Sequence, residues 1–284
     1  MATAFMRALA AHDPRKEIRG NDYLAEIFLD EAQKKPLGDP ATRAWLMENR
    51  IAPGAYEFML ARTAFFDRIM EQALKENIAQ VVLLGAGYDS RPYRFGEFIQ
   101  DTKIFELDAQ PTQQRKRECL QQAEIPISRQ ISFVPINFET DDLRAALLAA
   151  GFDRGKKTLF VWEGVTYYLS AEVVDQMFAF IRSNSLSGSS IGFDYAALSA
   201  EALNGDDVKE LRQHMRSRHS NEPTKFGIPS GQLEAFLAER GFEMLEHLTA
   251  DDMDAKYLSR GSDSDLGKVP SLFCLVYAAV IGNK

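Results

Sequence analysis

Cysteine, histidine and positive charge are all scarce in this sequence, and each shortage removes a class of function. The 284 residues hold two cysteines, Cys119 and Cys274, far apart and in unlike surroundings. Two such thiols fit a reducing compartment rather than a disulfide framework. The four histidines, His12, His214, His219 and His247, are scattered without ligand spacing. With no neighbouring cysteines beside them, no metal centre is expected. Lys and Arg number 33 against 41 Asp and Glu, for a net charge of -8. No basic run with interleaved aromatics offsets that average, so nucleic acid is not an expected partner. The apolar stretch 1–11 is too short to span a bilayer and carries Arg7 near its centre. It reads as a packing helix of a cytoplasmic protein with no membrane partner.

What is present is a chain that is 45% hydrophobic, enough for the core of one large α/β domain. Apolar, β-rich runs alternate with amphipathic segments, the pattern of a parallel sheet covered by helices on both faces. Val81–Leu84, Ile104–Asp108, Ser132–Ile136, Thr158–Trp162 and Ser190–Phe193 are the expected parallel strands. After the fourth, Ser170 is placed to cap a helix whose Val174, Met177, Phe178 and Ile181 face the sheet. Further on, Ser230 should cap a helix containing Leu233, Phe236 and Leu237, with Gly241 stopping it. Phe242–Leu248 and Leu272–Ile281 are then expected as an antiparallel pair at one edge. The single domain, 1–284, divides into a helical cap (1–78), a core (79–195), a polar lid insertion (196–229) and a C-terminal helix with edge strands (230–284). In the cap, Ala55–Glu76 buries Phe65, Phe66, Ile69, Met70, Ala73 and Leu74, and Arg62 projects toward that apolar face. A cation there needs a partner.

The run Val81-Val82-Leu83-Leu84-Gly85-Ala86-Gly87 is a strand entering a glycine turn, where backbone N–H groups can approach a nucleotide-like ligand. A dinucleotide fingerprint needs a third Gly or Ala three residues after the second; Ser90 stands there instead. Asp89 would also face a pyrophosphate with like charge. S-Adenosylmethionine (AdoMet) has no phosphate, and its ammonium and sulfonium favour a nearby carboxylate, so the turn points to AdoMet rather than NAD. Asp108, about 20 residues after the turn at the end of the second strand, is placed to accept from ribose hydroxyls. The alternative is a strand-end acid paired with Lys116 on the next helix.

These residues resemble the leucine carboxyl methyltransferase family, a branch of the class I AdoMet-dependent methyltransferases. The resemblance runs from Ala61-Arg62-Thr63 through Gly85-Ala86-Gly87-Tyr88-Asp89-Ser90-Arg91, Phe105-Glu106-Leu107-Asp108 and Glu163-Gly164-Val165-Thr166-Tyr167-Tyr168-Leu169 to Phe226-Gly227-Ile228-Pro229 and Gly241-Phe242. It implies a Rossmann-like α/β fold, mostly parallel with an antiparallel edge strand, a helical N-terminal extension and a lid insertion. It also implies that Arg62 grips the AdoMet carboxylate, Gly85 and Gly87 line the methionine portion, Asp108 holds the ribose and Glu163 faces the amino group. Arg7 matches a second basic residue at the carboxylate. Asn137 and Phe138 replace the usual Asp-Leu at the adenine, and Tyr168 matches the tyrosine beside the transferred methyl.

By the same resemblance the acceptor is a carboxylate, on a small molecule or a peptide C-terminus. A carboxylate is ionised at neutral pH and needs no general base, and none of the four histidines sits in a strand-end motif. Two alternatives stay open: a natural-product O- or N-methyltransferase with a hydroxyl or amine acceptor, and an AdoMet-binding module without catalysis. The Arg212, His214, Arg216, Arg218 and His219 cluster in the expected lid reads as a solvated helix face, with reception of an acidic substrate as its alternative.

Overall fold

The computed structural model describes residues 2–198, 225–258 and 266–282. Before the first strand come α1 (Ala2–Ala11), α2 (Glu31–Gly38), α3 (Pro40–Asn49) and α4 (Ala55–Lys75). The alternation follows with β1 (Gln80–Leu84), α5 (Arg91–Arg94), β2 (Lys103–Asp108), α6 (Gln110–Gln122) and β3 (Ile131–Pro135). It continues with α7 (Leu143–Ala149), β4 (Thr158–Trp162), α8 (Ala171–Asn184) and β5 (Ser190–Leu198). Last come β6 (Ile228–Pro229), α9 (Leu233–Glu239), β7 (Phe242–Leu248), α10 (Ala250–Met253) and β8 (Phe273–Val280).

The first five strands are parallel, in the order β3-β2-β1-β4-β5, as the alternation predicts. The expected antiparallel pair is also there, with an added detail. β8 inserts between β5 and β7 and runs antiparallel to both. β5 is therefore longer than its sequence suggests, because β8 pairs with it from Ser190 to Ala196 and β6 lies parallel to Ala197 and Leu198.

Strand alternation splits the apolar side chains between two cores. Val81 and Leu83 of β1 join Phe65, Phe66 and Ile69 of α4 on one face. Val82 and Leu84 join Phe178 and Ile181 of α8 on the other. A helix on each face leaves no polar side for β1, which explains its unbroken apolar run. α4 lies very close to the sheet at Gly192, where a Cβ would overlap Ile69 Cδ1. α1 also packs on α4, and Glu57, Arg62 and Asp67 of α4 are buried against partners from later segments of the chain.

Ser170 caps α8 by accepting from Val173 N–H. Ser230 does not cap α9: its own N–H donates to Leu198 O, Gly231 turns the chain at φ +78°, and the helix begins at Leu233 after Gln232. Residues 199–224 of the expected lid, with the Arg212 to His219 cluster, lie outside the described residues. The ends of that expected segment are strand instead, in β5 and β6.

Candidate active site

Parallel strands end at one edge of the sheet, and there the loops leaving β1, β2 and β4 meet Asp194 of β5 and charged residues of α1 and α4. Gly85 leaves β1 at φ +74°, and a Cβ there would stand 2.8 Å from Val165 Cγ2, so the glycine turn and the loop after β4 pack directly on each other. Gly87 N–H donates to Asp108 Oδ2 at 2.7 Å, and Ala109 N–H to Oδ1 at 2.7 Å. The Lys116 partner considered for Asp108 goes to its neighbour: Lys116 Nζ donates to Glu106 Oε2 at 2.6 Å, both fully buried, and Tyr93 OH donates to Oε1. Burial pushes the Glu106 carboxyl up, against the pull of Lys116. Among the described ion pairs Asp108 has none, and each of its oxygens keeps a lone pair for another donor.

Arg62, from α4, meets partners within the protein. Its Nη1 donates to Asp194 Oδ2 at 3.1 Å and to Tyr167 OH at 3.2 Å, and its Nη2 to Met59 Sδ at 3.6 Å. Its Nε lies 3.0 Å from Glu163 Oε1, yet that N–H is not aimed at the oxygen and makes no hydrogen bond. Phe58 packs against the guanidinium, 5.3 Å from ring centre to Cζ. Gly164 lies on it too, with φ +73° and a would-be Cβ 3.2 Å from Nη1. A side chain there would strain the backbone and press on the guanidinium. Burial works to lower the Arg62 pKa, but Glu163, Tyr167 and Asp194 hold it above the ordinary value. Burial raises Asp194, opposed by Arg62 and by Gly164 N–H, which donates to Oδ1 at 2.7 Å.

Arg91 continues the network. It donates to Asp67 through Nε (2.9 Å), to Asp89 through Nη1 (2.6 Å) and to Glu163 Oε2 through Nη2 (2.6 Å). Arg94 binds both oxygens of Asp67 and also Ser90 Oγ, which in turn donates to Asp22. Arg7 closes the chain, donating to Asp22 Oδ2 at 2.7 Å and to Tyr88 O at 2.6 Å. Arg7 ties α1 to the glycine turn, with Asp22 as its counter-ion, and one expectation is corrected here. Asp89 is not a free charge facing the turn's ligand, because Arg91 pairs with it; burial raises its pKa, and Arg91 above all holds it below the usual range.

The remaining sequence candidates lie nearby. Asn137, exposed after β3, spends Oδ1 on Glu139 N–H at 3.0 Å, an Asx-turn that leaves its side-chain amide as the available donor. Phe138 is half-buried against the α8-side core. Tyr168 is half-buried beside Tyr167, with ring centres 4.7 Å apart. Sequence reasoning missed Asp194, Tyr167, Asp67 and Asp22. Its one available signal was an aspartate in the middle of an otherwise apolar strand, since a buried charge demands a partner.

Among the described residues, no helix is long and apolar enough to cross a membrane. A family model described as leucine carboxyl methyltransferase matches residues 1–182. A Bacillus subtilis protein named as a candidate S-adenosyl-L-methionine-dependent methyltransferase, YktD, is 30% identical over 239 residues, 84% of this chain and 77% of that one. A Mycobacteroides abscessus protein of the same description is 32% identical over 186 residues, and the match spans only 57% of its length. In fold, a candidate methyltransferase of Thermobifida fusca superposes with a TM-score of 0.61 over 99% of this chain and 94% of its own, at 15% identity. With the family model covering well over half of its residues and the motif turns joined in one charged cluster, the chain belongs to the leucine carboxyl methyltransferase family.

Proposed function

We propose that this protein transfers the methyl group of AdoMet to a carboxylate oxygen, on a small acid or a peptide C-terminus. Its family and fold make it an AdoMet-dependent methyltransferase; the carboxylate acceptor and the residue roles are inferred. The observation that carries the reading is the pair of opposite charges, Arg62 and Glu163, beside the Gly85–Gly87 turn. An α-amino acid end carries the complementary pair.

The site fits that cofactor on three counts. Arg62 Nε is a buried donor without a hydrogen bond. Gly87, at φ +44°, presents no side chain beside Asp108, whose Oδ2 would lie 4.0 Å from a Cβ there. Asp108 has acceptor capacity and no cation of its own among the described ion pairs. In this reading Arg62 takes the cofactor carboxylate and Glu163 its ammonium. Gly85 and Gly87 line the methionine chain, Asp108 accepts from the ribose, and Asn137 and Phe138 border the adenine. AdoMet, when bound, supplies a methyl on sulfonium, open to in-line displacement.

The chain's own contribution is alignment and exclusion of water. Tyr168, in the loop after β4, would border the methyl and fix the acceptor's approach. No residue need remove a proton from a carboxylate. Among the described histidines, His12 meets Glu26 and His247 meets Tyr195, whose side chain lies on the opposite face of β5 from Asp194. The test is methyl transfer from labelled AdoMet to a panel of acids, hydroxyl compounds and amines. Base-labile label on an acid is expected. Base-stable product formed only on hydroxyls or amines would overturn the carboxylate acceptor.

A further inference from the structure

Asp194 sits in no recognised motif, yet it joins the two halves of the candidate cofactor site. It is fully buried in β5, and both carboxylate oxygens are engaged. Oδ1 accepts from Gly164 N–H, the residue that carries Glu163 into place, and Oδ2 accepts from Arg62 Nη1. Its main-chain carbonyl accepts from Thr166 Oγ1. One residue thus sets the spacing between the site's cation and its anion.

Arg62 and Glu163 each have a better-aligned partner than the other. Arg62 has Asp194. Glu163 has Arg91, which donates to Oε2 at 2.6 Å and is itself held by Asp67 and Asp89. The direct Arg62–Glu163 contact is close in distance, 3.0 Å, but is not a hydrogen bond. It is the weakest link of a chain in which every other charge is well seated.

We infer that Asp194 and Arg91 are positioning residues that hold Arg62 and Glu163 from behind, so that a zwitterionic amino-acid end enters between them by exchanging one misaligned ion pair for two. The ligand's carboxylate takes Arg62 and its ammonium takes Glu163. Neither protein charge is left alone before or after the exchange, so the large cost of an uncompensated buried charge is avoided. Recognition at this end therefore requires both charges of the ligand, and Asp194 makes it specific by keeping Arg62 turned to receive them. The inference rests on the AdoMet reading above.

The experiment is calorimetry on wild-type protein and Asp194→Asn with two ligands, S-adenosylhomocysteine and 5′-methylthioadenosine. The second keeps adenosine and the thioether but lacks the amino-acid end. Asp194→Asn is expected to weaken S-adenosylhomocysteine by about tenfold or more while changing 5′-methylthioadenosine by less than about twofold. Equal losses for both ligands, or an unchanged or tighter S-adenosylhomocysteine affinity, would overturn the inference. Arg91→Lys, which keeps the charge but not the three-way fork, is expected to give the same selective loss and covers the case in which Asp194→Asn does not fold. Equal effects on the two ligands there would likewise overturn it. A wild-type protein that binds neither AdoMet nor S-adenosylhomocysteine would instead overturn the cofactor assignment.

Discussion

Replacing Lys116 by Met tests the electrostatics of the sheet directly. Lys116 and Glu106 have side chains 1% and 0% exposed, and their charged atoms are 2.6 Å apart. Met fills much of the lysine's volume, so the packing loss is small and the uncompensated Glu106 dominates. Breaking a buried pair this way costs about 3–5 kcal/mol. At roughly 2 °C per kcal/mol for a chain of this size, the melting temperature should drop by about 6–10 °C. The sign with pH follows from the cause. Burial already raises Glu106, and removing Lys116 raises it further. A carboxyl raised above its unfolded value binds its proton more readily in the folded state. Its stabilising contribution is therefore complete below the unfolded value and is lost as pH rises through the folded one. The variant's deficit against wild type should be smaller near pH 5 than near pH 8, by thermal or denaturant melts at both. Lys116→Met with Glu106→Gln should recover much of the loss, since the neutral amide keeps Tyr93 OH as a partner. A deficit that is independent of pH, or a double variant no better than the single, would refute the buried-charge account.

Arg62→Ala should weaken AdoMet binding by about 2–5 kcal/mol in calorimetry, by leaving the cofactor carboxylate without its cation. Unchanged affinity would return Arg62 to a structural role. Gly192→Ala drives a methyl into Ile69 under α4 and should cost about 1–3 kcal/mol in chemical denaturation; a neutral result would mean α4 can move off the sheet freely. His247 is held by burial below its ordinary pKa. The unfolded chain therefore takes up that proton first, and stability should fall as pH drops from about 7 through the ordinary histidine value near 6.5. His247→Gln should flatten that slope in melts between pH 5 and 7, and an unaltered slope would assign the pH dependence elsewhere.

The sheet was legible because β1 to β5 have their apolar periodicity and their helices in simple succession. The position of β8 was not, because nothing local in Leu272–Ile281 says which strand edge it meets. The glycine turn, Asp108 and Glu163 could be found because each lies at a strand end within a short motif. Arg62 announced that it needed a partner, but its partners come from β4's loop and from β5, more than a hundred residues away. No spacing rule connects them. Ser230 failed as a cap for a local reason, since its N–H is drawn to Leu198 and Gly231 takes the turn. Lys116 chose Glu106 over Asp108 because Glu106, being fully buried, has no other way to stay charged, whereas Asp108 has two backbone N–H donors.

The insertion of β8 beside β5 also bears on how the protein is made. Asp194 pairs in the sheet with Leu275, on the order of eighty residues further along the chain. Until that strand arrives, β5 has an open edge on the side of Asp194, and Arg62 has no rigid anchor. The N-terminal motifs can be synthesised and even collapsed without yet forming a competent cluster. Such long-range pairing is slow, so the assembly of the charged cluster should be among the last events of folding, and a refolding chain should regain helical signal before it regains affinity for S-adenosylhomocysteine.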